Sequence, residues 1–268
     1  MIVCGHSRVR NTDDKWSITI PEKQSGVSNI FKGQSLFGDI DNDSGRLLLS
    51  PIKLTSTVNY FRMFLDDFRG GLAKVTRLFS ERGLNILSGG AFGFNNIWVA
   101  ELVVDFKDSK ISPDVIASEI GDMGGFVTSR EITELFPTNF VLKDTYKVTE
   151  VDGKLSIEGT KQEGWRESDV AVIKSWPRIQ AMFVDFFPKG SKLTHIQARL
   201  DDTPGSLMKM TEAIGTQVNM NAIDEKHHDE VSGEWNAYGT LEVGTVEELE
   251  DKLSALETVS SFKIEILT

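Results

Sequence analysis

Cysteine is almost absent from this 268-residue sequence, which contains only Cys4. A single cysteine excludes an intramolecular disulfide and is typical of a protein in a reducing compartment. Long apolar runs are absent as well. The opening MIVCGHSRVR has no apolar signal core, and no segment approaches the roughly 20 apolar residues of a membrane span. We therefore expect a cytoplasmic protein without membrane contact.

Positive charge is also scarce in this chain. Its 29 Lys and Arg residues face 40 Asp and Glu residues, a formal net charge of −11. Because phosphate binding normally depends on clustered Lys and Arg, this balance argues against a dedicated nucleic-acid-binding protein. With 40% apolar and 26% charged residues, the composition is that of a soluble globular protein.

Signatures of catalysis are missing too. The sequence contains no G-x-S-x-G, H-E-x-x-H, P-loop or dinucleotide-binding fingerprint. The run His227–Glu230 holds metal-ligand types, but adjacent side chains on an extended chain point to opposite sides, which favours a solvated loop. We expect no catalytic residue, no metal and no cofactor.

A repeated turn is the most informative feature that is present. LDDFRGGLAKVT begins at Leu65 and LDDTPGSLMKMT begins at Leu200, a spacing of 135 residues. Seven of the twelve aligned positions are identical, whereas chance would give about one. The chain is therefore predicted to be an internal duplication.

The apolar pattern around each copy predicts the element order β-α-β-β-α-β, an antiparallel sheet with two helices on one face. Short strands between polar turns precede each copy. The predicted fold is α+β, with two ferredoxin-like units that each follow a small β-rich unit. The predicted bounds are 1–53 for the first β-rich unit, 54–136 for the first ferredoxin-like unit, 137–190 for the second β-rich unit and 191–268 for the second ferredoxin-like unit.

The repeated turn has a chemistry that suits a small charged ligand. Gly70, Gly71 and Gly205 permit positive φ and close approach of a ligand to the main chain. The free N–H groups of the following helix favour a carboxylate. Asp67 and Asp202 either cap that helix or hold an ammonium group, so a free amino acid would match both charges. Helix capping and turn geometry alone are the simpler interpretation of the same residues.

LDDTPGSLMKMTEAIGTQVNMNAI, Leu200 to Ile223, resembles the ACT domain, the small amino-acid-sensing module of biosynthetic enzymes and regulators. LDDFRGGLAKVTRLFSERGLNILS, Leu65 to Ser88, is similar, with Arg69 in place of the proline. The resemblance implies side-by-side pairing of units and an amino acid bound between the turn of one unit and the second-strand start of its neighbour. The implied ligand-binding residues are Asp202, Gly205, Ser206, Leu207, Asn219 and Asn221 in the second copy, and Asp67, Arg69, Gly70, Gly71, Leu72 and Asn85 in the first.

The leading hypothesis is a non-catalytic regulatory protein. It would bind a free amino acid or similar small metabolite, associate as a homo-oligomer, a dimer, and act on a partner enzyme of amino-acid metabolism. One alternative is an assembly or scaffold protein that uses the same units for protein contacts without a ligand. The other is a metal-dependent enzyme with its site in the β-rich units, where Asp39, Asp41 and Asp43 alternate along an extended stretch.

Overall fold

The computed structural model describes residues 2–41, 43–66, 71–94, 97–135 and 142–267. Within these ranges the protein is mixed α/β and rich in sheet, with sixteen strands and five α-helices. None of the helices in the described ranges is long and apolar enough to cross a membrane.

The described part of the first half contains eight strands and three α-helices. Before the first copy of the repeated turn come β1 (Val3–Asn11), β2 (Lys15–Thr19), α1 (Glu22–Val27), β3 (Ser35–Asp41) and β4 (Arg46–Ser50). Around that turn come β5 (Val58–Asp66), α2 (Gly71–Glu81), β6 (Asn85–Phe94), β7 (Ile97–Asp105), α3 (Pro113–Asp122) and β8 (Phe126–Glu131).

In the second half, the described residues form the same number of strands and two α-helices. Its leading strands are β9 (Asp144–Val151), β10 (Lys154–Thr160), β11 (Ser168–Trp176) and β12 (Ala181–Pro188). Around the second copy of the turn come β13 (Leu193–Asp201), α4 (Ser206–Gly215), β14 (Val218–His228), β15 (Ser232–Leu241), α5 (Val246–Ser254) and β16 (Val259–Leu267).

The leading strands of both halves form one closed barrel, in the order β1-β11-β12-β4-β3-β9-β10-β2. Exchanging β1 to β4 with β9 to β12 reproduces the same circular order, so the barrel has the pseudo-twofold connectivity of a duplication. The prediction of two β-rich units needs correction here, because pairs of strands from the two units alternate around one barrel. Four short strands leave two unpaired edges, whereas eight strands can close and leave none.

The barrel interior is a packed apolar core. Trp16 and Leu36 from the first half meet Ile157 and Ile173 from the second half, and all four are at most 1% exposed. Fully burying one such side chain is worth about 1.5–3 kcal/mol, so closure is driven mainly by apolar area contributed by both halves.

Two four-stranded antiparallel sheets complete the molecule, in the orders β6-β7-β5-β8 and β14-β15-β13-β16. Each sheet carries two helices on one face. In the first sheet Phe61 of β5 and Phe79 of α2 are fully buried there, and in the second Ile196 of β13 packs with Ile214 of α4. The apolar sides of α2 and α4 therefore point into the core.

The opposite face of each sheet packs on the outside of the barrel. Leu48 of β4 meets Val58 and Val103 of the first sheet. Cys4 and neighbouring barrel residues meet Tyr238 of the second sheet. The barrel is therefore a shared base for both sheets, which the sequence pattern did not predict.

Candidate functional site

The second copy of the repeated turn connects β13 to α4 through Gly205. Gly205 has φ +90° and ψ −5° and occupies the position before the first helical residue. A side chain at this φ is strained, which explains why a glycine stands there. Space is not the reason, because an added Cβ would meet only Met208 Cε at 3.9 Å.

Hydrogen bonds inside the turn determine which helix donors remain available. The Ser206 main-chain N–H donates to the Thr203 carbonyl at 3.1 Å, and the two hydroxyls of these residues lie 2.7 Å apart. Ser206 is only 3% exposed, so its hydroxyl is part of the turn itself. Among the described residues, the main-chain N–H groups of Leu207 and Met208 have no acceptor. These two donors lie at the positive end of the helix dipole and suit an anion.

Asp202 places a carboxylate at the same turn. Its main-chain N–H donates to the Val231 carbonyl at 2.8 Å, which ties the turn to the β14–β15 hairpin. Its side chain is 52% exposed, and one carboxylate oxygen lies 3.3 Å from His228 Nε2. The turn therefore presents donors for an anion beside a carboxylate that can hold a cation.

The predicted asparagines of the second copy lie elsewhere. Asn219 pairs with Thr240, which pairs with Leu193 at the start of β13, whereas the turn follows the end of that strand. Nine strand residues separate these ends by about 27 Å. Asn219 Nδ2 donates to Glu242 Oε1 at 2.9 Å. The structure therefore does not join this asparagine and the turn into one site within the chain.

Asn221 is directed to the barrel. Its side chain lies at a register shift in β14, and its Nδ2 donates to Asp185 Oδ2 at 2.5 Å. The same carboxylate accepts from Lys174 at 2.5 Å and lies 3.6 Å from Arg46 Nε. Asn221 thus joins the second sheet to the barrel, a structural role that the sequence resemblance did not imply.

The first copy of the turn is described only in part. Gly71 is the first residue of α2, Leu72 follows it in the helix, and Asn85 is the exposed first residue of β6. As in the second copy, the asparagine stands at the opposite end of its sheet from the turn, since Asn85 pairs with Asp105, which pairs with Val58 at the start of β5. The predicted residues outside the described part of the chain are Asp67, Arg69 and Gly70.

Two of the residues considered for a metal, Asp229 and Asp41, stabilise turns. Asp229 accepts hydrogen bonds from the main-chain N–H groups of Val231 and Ser232, which lower the pKa of its carboxyl and fix the β14–β15 hairpin. Asp41 accepts from the Ser44 hydroxyl at 2.5 Å, and this bond lowers the pKa of Asp41. Among the described residues there is no group of three or more His, Cys, Asp or Glu side chains placed to hold a metal ion.

Comparison with solved structures finds weak similarity to several proteins. An unknown protein from Galdieria sulphuraria is 9% identical, with 79% of this chain and 99% of that chain covered and a TM-score of 0.33. Prephenate dehydratase from Staphylococcus aureus is 12% identical, with 98% and 82% covered and a TM-score of 0.25. The small subunit of acetolactate synthase from Thermotoga maritima is 10% identical, with 78% and 93% covered and a TM-score of 0.19. No family model and no curated protein matches the chain. These similarities do not assign the chain to a family.

Proposed function

We propose that residues 54–136 and 191–268 are ACT-like units with the ferredoxin-like fold, and that the chain is a non-catalytic regulator of amino-acid metabolism. The ligand is a free amino acid or similar small metabolite, bound at the turn between β13 and α4. One observation carries the proposal. The unpaired N–H groups of Leu207 and Met208 and the carboxylate of Asp202 belong to one turn, which complements a molecule with a carboxylate and an ammonium group.

The rest of the ligand site comes from a second molecule. β14 and β6 are edge strands of their sheets, and the predicted asparagines lie near their starts. Within one chain the asparagine and the turn are too far apart to bind the same ligand. Pairing of such edges between two chains would bring an asparagine from one molecule to the turn of the other. Ligand binding then favours one assembly over another, typically by 1–3 kcal/mol, and a partner enzyme responds to that assembly.

A thermal-shift panel of the twenty amino acids tests this function. We expect at least one amino acid to raise the unfolding temperature of the full chain. Asp202→Asn removes the ammonium partner at an exposed position, so the response of that variant disappears while its unfolding temperature without ligand stays close to the parent's. Asp251→Asn, which changes an exposed acid of α5, is the matched control and keeps the response. Each amino acid is tested at about ten times a millimolar dissociation constant. If none of the twenty stabilises the parent protein at that concentration, the proposal is wrong.

The second candidate function, an assembly protein without a ligand, is favoured by an aromatic surface on the first sheet. Phe64, Val99 and Phe126 lie side by side on β5, β7 and β8, and Phe126 is 64% exposed. At a spacing of 135 residues the second sheet has Arg199, Glu234 and Ser261 in the same cross-strand row. The fold therefore does not require apolar residues in this row, and exposed aromatic side chains are typical of protein contacts.

This second function predicts self-association through that surface. Replacing Phe126 with serine, the residue at the corresponding position of the second sheet, should lower the mass of the assembly in sedimentation velocity. Val243→Ser changes an exposed apolar residue outside the row and serves as the control. A parent protein that sediments as a monomer at all concentrations would exclude self-association.

A further inference from the structure

A cleft opens in the barrel wall where β1 loses one of its two neighbours. β1 pairs with β11 from Val3 to Arg8, but it pairs with β2 only from Val9 to Asn11. Before Val9 the edge of β1 that faces β2 has no strand partner in the described structure, because the chain turns at Pro21 into α1. The Thr19 main-chain N–H donates to Ser7 Oγ at 3.0 Å and bridges the two sides. The resulting cleft has a volume of about 1050 Å³.

The size and the apolar part of this cleft suit a small organic molecule. Ligand pockets in proteins usually measure about 300–1,000 Å³ and have mainly apolar walls. Here Val9 and Ile20 are almost fully buried, and Pro21 and Leu155 lie beside them in the lining. The cleft reaches from the β2–α1 corner to the start of β10, so its walls come from both halves of the chain.

The polar part of the cleft is positively charged. Arg8, Arg10 and Lys154 line it, and all three are exposed. None of them makes an ion pair or a side-chain hydrogen bond with another described residue. Arg8 and Arg10 are two residues apart on one strand, so they stand on one face about 7 Å apart. These three cations therefore give the cleft a local positive charge in a chain whose formal net charge is −11.

The carboxylates near this charge form no ion pair with it among the described residues, although Glu265 lines an adjoining pocket together with His6 and Arg8. Glu22 is the only carboxylate among the described lining residues, and it forms no ion pair with the three cations. His6 also borders the cleft, and burial lowers its pKa, so it adds no positive charge at neutral pH. Arginine forks that are free of protein carboxylates bind the oxygens of carboxylate or phosphate groups well.

We propose that this cleft binds a small organic anion, a molecule with a carboxylate or phosphate group and an apolar body. Arg8, Arg10 and Lys154 hold the acid group, and Val9, Ile20 and Leu155 contact the apolar part. The site belongs to the barrel and uses no residue of the turn at Gly205, so it does not depend on the function proposed above. A ligand here would contact strands from both halves of the chain.

Isothermal titration calorimetry of the full chain tests the proposal with three probes. Phenyl phosphate carries both chemical features, inorganic phosphate carries only the charge, and benzyl alcohol carries only the ring. We expect phenyl phosphate to bind at least about tenfold more tightly than either of the others, because it uses both parts of the cleft. The absence of saturable heat with phenyl phosphate, or equal affinity for inorganic phosphate, would overturn the proposal.

Two variants locate the binding. The double variant Arg8→Gln/Arg10→Gln should weaken phenyl phosphate binding roughly tenfold, since two charge contacts are lost in a partly solvated cleft. Arg130→Gln removes an exposed arginine of β8 that lies outside the cleft, so its affinity should equal the parent's. Circular dichroism checks that all variants keep the fold. An unchanged affinity in the double variant would place the anion elsewhere and refute this assignment.

Discussion

Gly205→Ala should destabilise the second sheet although the new methyl group has room. The Cβ would lie 3.9 Å from Met208 Cε, an ordinary contact, so steric overlap contributes nothing. The cost comes from the main chain, because φ at Gly205 is +90° and a left-handed conformation costs an L-residue roughly 1–2 kcal/mol. A β-branched residue such as valine would be worse at the same φ.

Gly215→Ala at the end of the same helix is the matched control. Gly215 is helical, and an added Cβ there meets no atom within 4 Å. Both substitutions reduce the entropy of the unfolded chain by a similar amount, about 0.4–1 kcal/mol, so this effect cancels between them. The two variants should therefore differ in free energy of unfolding by about 1–2 kcal/mol, with Gly215→Ala the more stable.

Urea unfolding followed by circular dichroism measures this difference, provided that both variants have the same slope against denaturant. Equal stabilities would show that the strained turn relaxes at no cost, and the argument from φ would be refuted. If the alanine variant folds despite the strained turn, its amino-acid binding can be measured directly. A weaker response would then follow from the altered direction of the Leu207 and Met208 N–H groups.

Three further predictions concern the contact between the barrel and the second sheet. Asp185→Ala should lower the free energy of unfolding by roughly 3 kcal/mol in urea titrations, since it breaks a buried ion pair. This is the low end of the usual range, because the cations left behind, Lys174 and Arg46, reach water. Burial raises the pKa of Cys4 to about 12, so the thiol should not react with a disulfide reagent at pH 8 until the protein unfolds. Burial lowers the pKa of His6 and His195, so each binds protons more weakly in the folded state than in the unfolded state. The free energy of unfolding should therefore be independent of these histidines above about pH 6.5 and should fall as the pH decreases below it. His195→Gln should reduce that pH dependence in thermal unfolding, and an identical pH profile in the variant would contradict this assignment.

Local features of the fold were predictable where the signal lies within a few residues. Thr245 and Glu248 form a capping box at the start of α5 with both hydrogen bonds present, and the T-x-x-E spacing that signals it is visible in the sequence. The sequence Ser112-Pro113-Asp114 likewise signals the start of α3, where Ser112 precedes the first helical residue, although its hydroxyl does not cap the helix. The six-residue helix α1 was missed, and the available signal was Pro21 followed by an acid at its first helical position.

Long-range features were not predictable from the pattern. Val3 of β1 pairs with Ser175 of β11, and nothing in a single strand states which distant strand it joins. The bond between Asn221 and Asp185 likewise depends on how the second sheet meets the barrel. The candidate cleft arises because β1 pairs with β11 and with β2 over different residues. It therefore has no local sequence signature apart from the spacing of Arg8 and Arg10.

The shared barrel also determines the order in which this chain can fold during synthesis. The first sheet needs only residues 58–131, so it can form while the second half is still being made. The barrel must wait for β12, because β4 has only β3 as a neighbour until β12 arrives to pair with it. Until then the strands of residues 3–50 keep unpaired edges, a state in which chains are prone to aggregate. A chain shortened before β9 would lack the four strands that close the barrel, so its remaining barrel strands would keep unpaired edges.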